Sequence, residues 1–154
     1  MRRSPSRAWC LVALAAAACT VDPNDLCPAE ACPDAFTVTI HREANAAFAT
    51  GAWELRIDSD LGVADATCPI DAVKGLQACT ADAATHALLD LGSVTQGNDV
   101  VGLYLTVVGN PRRVSLTVLH DGATLGTQAY APTYTTLQNC GRTCRIAKDT
   151  MTIP

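Results

Sequence analysis

Residues 36–154 are predicted to form an all-β domain, and three features of the sequence predict it. Apolar and polar residues alternate with a period of two in several short segments, as they do in strands with one buried face. The apolar positions of these segments are rich in β-branched side chains, which fit a pleated surface. Glycine, proline and Asp-Gly pairs punctuate the segments at short, regular intervals.

Taken in order, Phe36, Val38 and Ile40 share one face of a first strand, with Thr37, Thr39 and His41 on the other. Gly51 opens a second, in which Trp53, Leu55 and Ile57 alternate with Glu54, Arg56 and Asp58. The stretch 80–93, "TADAATHALLDLGS", fits either a short helix or a strand with Ala87, Leu89 and Leu91 inward. Leu103, Leu105 and Val107 line a further strand, and Val114, Leu116 and Val118 another, with Gly109-Asn110-Pro111 between them. Asp121-Gly122 suits a two-residue type I′ hairpin, so that "ATLGTQAY" returns along "RVSLTVLH". Met151 and Ile153 point inward from a closing strand. Seven or eight short strands of this kind predict an antiparallel β-sandwich of immunoglobulin-like or transthyretin-like form.

The N-terminus has a different character. Arg2, Arg3 and Arg7 precede an apolar run from Ala8 to Ala18. Eleven residues make a helix of roughly 16 Å, about half the hydrocarbon core of a bilayer, which is too short to span it. A basic start, a short apolar run and small residues at its end form the pattern of an export signal. Residues 1–18 are therefore expected to be removed, leaving 19–35 as a tether and 36–154 as the folded domain.

Ala16-Ala17-Ala18 followed by Cys19 resembles the lipobox of bacterial lipoproteins, although Leu14 stands one place further out than the family's leucine. The resemblance implies acylation of Cys19 with palmitate-type chains, and two or more chains hold a protein stably on a membrane. Thr20, where the family uses aspartate for inner-membrane retention, implies the outer membrane. "GAWELRIDSDLGVADATC", "VVGNPRRVSLTVLHDGATLGTQAYAPTY" and "CGRTC" together resemble small exported lipoproteins of myxobacterial type. That likeness implies the sandwich and no activity.

Cysteine parity bears on the same point. Cys10 leaves with the leader, and Cys19, Cys27, Cys32, Cys68, Cys79, Cys140 and Cys144 remain. An odd thiol in an exported chain is resolved if Cys19 carries lipid and the other six pair. Nearest-neighbour pairing is expected: Cys27 with Cys32, Cys68 with Cys79, and Cys140 with Cys144, where Gly141 relaxes the tight ring. No C-x-x-C pair is present, which argues against zinc-ribbon and thioredoxin-like chemistry.

Candidate chemistry is sparse. His41 lies on the polar side of its strand, and His120 adjoins the Asp121-Gly122 turn as a strand-end cap. Ser59, Ser93 and Ser115 are the serines downstream of the leader, and none sits in G-x-S-x-G. Adjacent His120 and Asp121 are expected on opposite faces of a strand, which speaks against a Ser-His-Asp relay. Asp58, Asp60 and Asp65 in "DSDLGVAD" offer oxygen ligands to calcium, but Gly62 occupies a ligand position of the EF-hand pattern and no closing glutamate follows. A solvated loop is the plainer reading of that stretch.

Charge narrows the partners. Eight basic residues remain against fifteen acidic ones after the leader is removed, a formal charge of −7. Such a surface excludes a nucleic-acid partner and argues against electrostatic docking on anionic lipid. Pro111-Arg112-Arg113 reads as a small basic turn that aids solubility. The expectation is a non-catalytic lipoprotein that contacts the membrane through its acyl anchor and serves in binding, adhesion or envelope assembly with a protein partner. The alternative is a secreted soluble β-domain with a calcium-stabilised loop.

Overall fold

The computed structural model describes residues 34–81, 88–139 and 142–154. They contain eleven strands and one 3-10 turn (Glu43–Asn45). The strands are β1 (Ala35–Arg42), β2 (Gly51–Ser59), β3 (Gly62–Asp71), β4 (Gly75–Leu76), β5 (Thr80–Ala81) and β6 (Leu89–Gln96). The remainder are β7 (Asp99–Val108), β8 (Val114–His120), β9 (Ala123–Tyr130), β10 (Thr135–Asn139) and β11 (Arg142–Ile153). They form two sheets, ordered β10-β11-β1-β7-β6 and β4-β3-β2-β8-β9, with β5 also on β3.

The chain is thus an all-β sandwich, as its alternation predicts, with more strands than expected and one parallel pair. That pair joins the first and last long strands, with Ala35 level with Ile146 and Arg42 with Ile153. In β1, β2, β7, β8 and the end of β11, the inward faces assigned from alternation are the faces observed. Phe36, Val38, Ile40, Trp53, Leu55, Ile57, Leu103, Leu105, Val107, Val114, Leu116, Val118, Met151 and Ile153 are all buried in one core. Full burial of each such side chain contributes roughly 1.5–3 kcal/mol.

Two readings of the sequence are corrected, and a third, open between helix and strand, is resolved in part. Residues 58–65 are not an extended loop: Asp58 and Ser59 end β2, Asp60 and Leu61 turn, and Gly62–Asp65 begin β3, with Ser59 paired to Gly62. In β3, Ala64, Ala66, Cys68 and Ile70 are buried and alternate with exposed or half-buried Val63, Asp65, Thr67 and Pro69. The closing strand is longer than its apolar ending suggests, because Arg142–Ile146 pair with β10 as a hairpin. The stretch 80–93 contributes β5 and the start of β6, where Leu89 is buried; Ala87 lies outside the described residues.

The Asp121-Gly122 turn has positive φ at both residues, 48° and 80°, as a type I′ hairpin requires. On the outer face of the five-stranded sheet, Tyr104 lies across Gly92: a Cβ added there would stand 2.2 Å from the ring's Cζ and Oη. Cys68 and Cys79 form the expected disulfide, their Cα atoms 4.2 Å apart, and it ties β3 to the segment before β5.

Candidate functional site

The sandwich has two ends of different composition. One is the end at which β1 begins, and Asp34 organises it. Its carboxylate accepts the Arg145 N–H through Oδ1 at 2.6 Å and the Asn110 side-chain amide through Oδ2 at 2.6 Å. Its carbonyl accepts the Gly109 N–H at 2.7 Å. Asp34 thereby joins the start of β1 to the β7–β8 turn and to β11. The Arg145 N–H, then the Asn110 amide, hold its carboxyl below the usual carboxylate range.

Asp60 does the same for the neighbouring turn. Its Oδ1 accepts the N–H groups of Arg112 at 2.8 Å and Arg113 at 3.2 Å, so the tip of the β2–β3 hairpin is bound to the β7–β8 turn. The Arg113 N–H is the main cause of its lowered pKa. Gly109, at φ 105°, brings its backbone under Leu61: a Cβ there would meet Leu61 Cδ1 at 2.8 Å. Tyr134 donates to the Pro111 carbonyl at 2.9 Å, and burial followed by the charges of Asp60 and Asp34 raises its phenol.

Beside this braced end lies an open hollow of about 480 Å³. Pairing puts Asp58 opposite Ser115 and Ser115 opposite Ala129, and by parity with buried Ile57, Leu116 and Tyr130 this row faces outward. Small side chains at Ser115, Ala129 and Ala131 leave the depression, and Asp58, Asp60 and Arg113 wall it. It offers one guanidinium, two carboxylates and the Ser115 hydroxyl, a set suited to holding a small polar group.

The opposite end is aromatic. His120 stacks on Trp53 with ring centroids 4.4 Å apart, and Phe48 meets Trp53 edge-on at 4.7 Å. His120 Nε2 lies 3.0 Å from the Thr50 carbonyl oxygen, and the Trp53 indole donates to Ala49 O at 2.9 Å. Gly51 is needed here, since a Cβ would stand 2.5 Å from His120 Nε2. Contrary to the strand-parity expectation, Asp121 Oδ2 approaches His120 Nε2 to 3.5 Å. The reason is the turn: at φ 48°, Asp121 has left extended geometry. Its other oxygen accepts the Ala52 N–H at 2.8 Å.

The sequence-predicted residues are therefore dispersed. Ser115 and His120 stand at opposite ends of β8, roughly 17 Å apart along the strand, and His41 lies at the His120 end of β1. Asp58 and Asp65 face outward from β2 and β3, and Asp60 is engaged by backbone donors. Among the described residues, no group of three or more His, Cys, Asp or Glu side chains is placed to hold a metal. Asp58, Asp60 and Asp65, the candidate calcium ligands, lie on the tight β2–β3 hairpin and not in an open loop. Cys144 is buried and disulfide-bonded; Cys19, Cys27, Cys32, Cys140 and His86 lie outside the described residues.

The organising roles of Asp34 and of Asn110 were missed from sequence. Their contacts join positions 76 and 111 residues apart, and the one local cue was a lone aspartate before the first strand. No protein-family model matches the chain, and neither a curated protein nor a solved structure matches it.

Proposed function

We propose that the protein is an exported, lipid-anchored module of the outer membrane, acylated at Cys19 and acting in binding or envelope assembly without catalysis. The observation that carries this reading is the Cys68–Cys79 disulfide in a chain whose basic and apolar leader ends at Cys19. Disulfides persist in oxidising compartments. Acylation of Cys19 resolves the odd thiol count left after the leader is removed. The described polar groups also support a binding role. Asp34, Asp60, Asp71 and Asp121 accept backbone N–H groups, and His120 faces a backbone carbonyl. Groups held in this way brace turns, while the hollow beside Arg113 keeps polar groups turned to solvent.

The test is the intact mass of the protein from its native envelope, before and after reduction. The expected species starts at Cys19, carries acyl chains, and gains about 6 Da on reduction for three disulfides. An unacylated species with one further thiol would overturn the anchor.

A further inference from the structure

We infer that the hollow beside Arg113 is a binding site for a small zwitterion of the α-amino-acid class, with an ammonium and a carboxylate on one apolar body. The inference deepens the binding role proposed above and takes nothing from the acyl anchor.

Register builds the site. Asp58 of β2, Ser115 of β8 and Ala129 of β9 stand in one outward row. Two residues nearer the Asp34 end, Asp60, Arg113 and Ala131 line the same hollow. Its sides therefore differ in chemistry. Carboxylates come from β2 and its turn, methyl groups from β9 and the residue after it, and the hydroxyl and the guanidinium stand between them. Each alanine leaves open the space that a longer side chain would fill. The resulting volume of about 480 Å³ falls in the range of ligand pockets, roughly 300–1,000 Å³.

The polar groups of this hollow are unspent. The ion pairs among the described residues are Arg56–Glu54 and His120–Asp121, so Asp58 and Arg113 face one depression without meeting. Arg56, two residues back along β2 from Asp58, is turned to Glu54 at 3.0 Å. Thr117 and Thr127, in the next row of β8 and β9, bond to each other at 3.0 Å. No hydrogen bond among the described residues engages the Asp58 carboxylate, the Arg113 guanidinium or the Ser115 hydroxyl. Asp60 is different, because its Oδ1 is taken by the Arg112 and Arg113 N–H groups, which fixes the backbone that carries the Arg113 side chain.

Charge selects the ligand. Two carboxylates and one guanidinium give the hollow a formal charge of −1, so a simple anion meets net repulsion. A simple cation satisfies Asp58 but stands beside the Arg113 guanidinium, like charge against like. A zwitterion pairs both. Its ammonium donates to Asp58, its carboxylate accepts from Arg113 and from the Ser115 hydroxyl, and its apolar side chain covers the methyl groups of Ala129 and Ala131. Charge-assisted hydrogen bonds of this kind are roughly twice as strong as neutral ones.

The test uses the protein as purified from its host, isotope-labelled and titrated with L-leucine while its amide signals are followed by NMR. Saturable shifts centred on Asp58, Ser115, Ala129 and Ala131, with a Kd of about 1 mM or tighter, are expected. N-acetyl-leucine lacks the ammonium and leucinamide lacks the carboxylate, and each is expected to bind about tenfold more weakly. Asp58→Asn is expected to weaken leucine about tenfold and to leave N-acetyl-leucine within about twofold of its parent value. Arg113→Gln is expected to do the same for leucine and leucinamide. Arg112→Gln, outside the hollow, changes none of these. Thermal melts check that each variant folds.

Leucine shifts absent up to ~10 mM, or equal in the parent and both folded variants, would overturn the inference. So would N-acetyl-leucine or leucinamide binding as tightly as leucine. Acylated protein that ignores leucine would overturn this site and leave the anchor standing. Unacylated protein that binds leucine through Asp58 and Arg113 would overturn the anchor and leave the site standing.

Discussion

Removing the hydroxyl of Tyr130 is expected to stabilise the fold. Tyr130 ends β9, is 7% exposed, and packs its ring against Phe36 with centroids 5.4 Å apart. Its Oη is buried and has no hydrogen-bond partner. An unsatisfied buried hydroxyl costs roughly 1–3 kcal/mol. Deleting one oxygen leaves a small void, costing about 0.5 kcal/mol at ~24 cal/mol per Å³. Tyr130→Phe keeps the ring contact, so the net gain is about 1 kcal/mol, a rise of roughly 4 °C in melting midpoint.

Tyr134→Phe is the control of opposite sign, because that hydroxyl donates to the Pro111 carbonyl and its loss costs about 1 kcal/mol. Alkali gives a second readout. Burial, and then the charge of Asp149, push the Tyr130 phenol up from 10.0 to about 12. Stability from keeping it neutral is complete below the unfolded value near 10 and is lost as pH rises through about 12. Tyr130→Phe should remove that alkaline decline. A lower melting midpoint for Tyr130→Phe, or an unchanged alkaline limb, would refute the reasoning.

Gly92→Ala should destabilise by roughly 1–3 kcal/mol through overpacking, since the added Cβ meets the Tyr104 ring at 2.2 Å. In a Tyr104→Ala background the same change should cost little, and a double-mutant cycle that came out additive would count against the contact. The carboxyls of Asp34, Asp60 and Asp71 are all lowered by backbone hydrogen bonds from Arg145, Arg113 and Lys74 respectively. Their contribution is present above the ordinary value of 3.8 and is lost as pH falls through the lowered folded values. Thermal melts should therefore fall off in acid below that value, less steeply in Asp34→Asn and Asp60→Asn.

The strands that were legible in the sequence are those whose inward positions hold large apolar side chains. Leu55 and Leu116 announce a buried face without any knowledge of a partner, because period two is a local property. β3 has the same period, but its buried positions include Ala64 and Ala66, and Pro69 interrupts it. Small inward side chains carry a weak signal, although they fit a sheet packed closely on its neighbours. Pro69 is tolerated because β4 and β5 pair with residues on either side of it. The hollow could not be read at all: it exists because Asp58, Ser115 and Ala129 fall in one row of three strands, and register decides that.

By itself the sequence determined the all-β class, the inward faces of the main strands, the Asp-Gly hairpin and the Cys68–Cys79 pair. Each follows from neighbours within about a dozen positions, where periodicity, turn stereochemistry and short loop closure act. Only the tertiary structure decided that the first and last long strands pair in parallel, and that Asp34 clamps Asn110 and Arg145. It alone gathered Asp58, Arg113 and Ser115 around one hollow. The physical reason is that net charge and composition sum over the whole chain, whereas a site responds to which side chains share a surface. That sharing is set by long-range pairing, in which each contact is weak and the arrangement is fixed by the core as a whole.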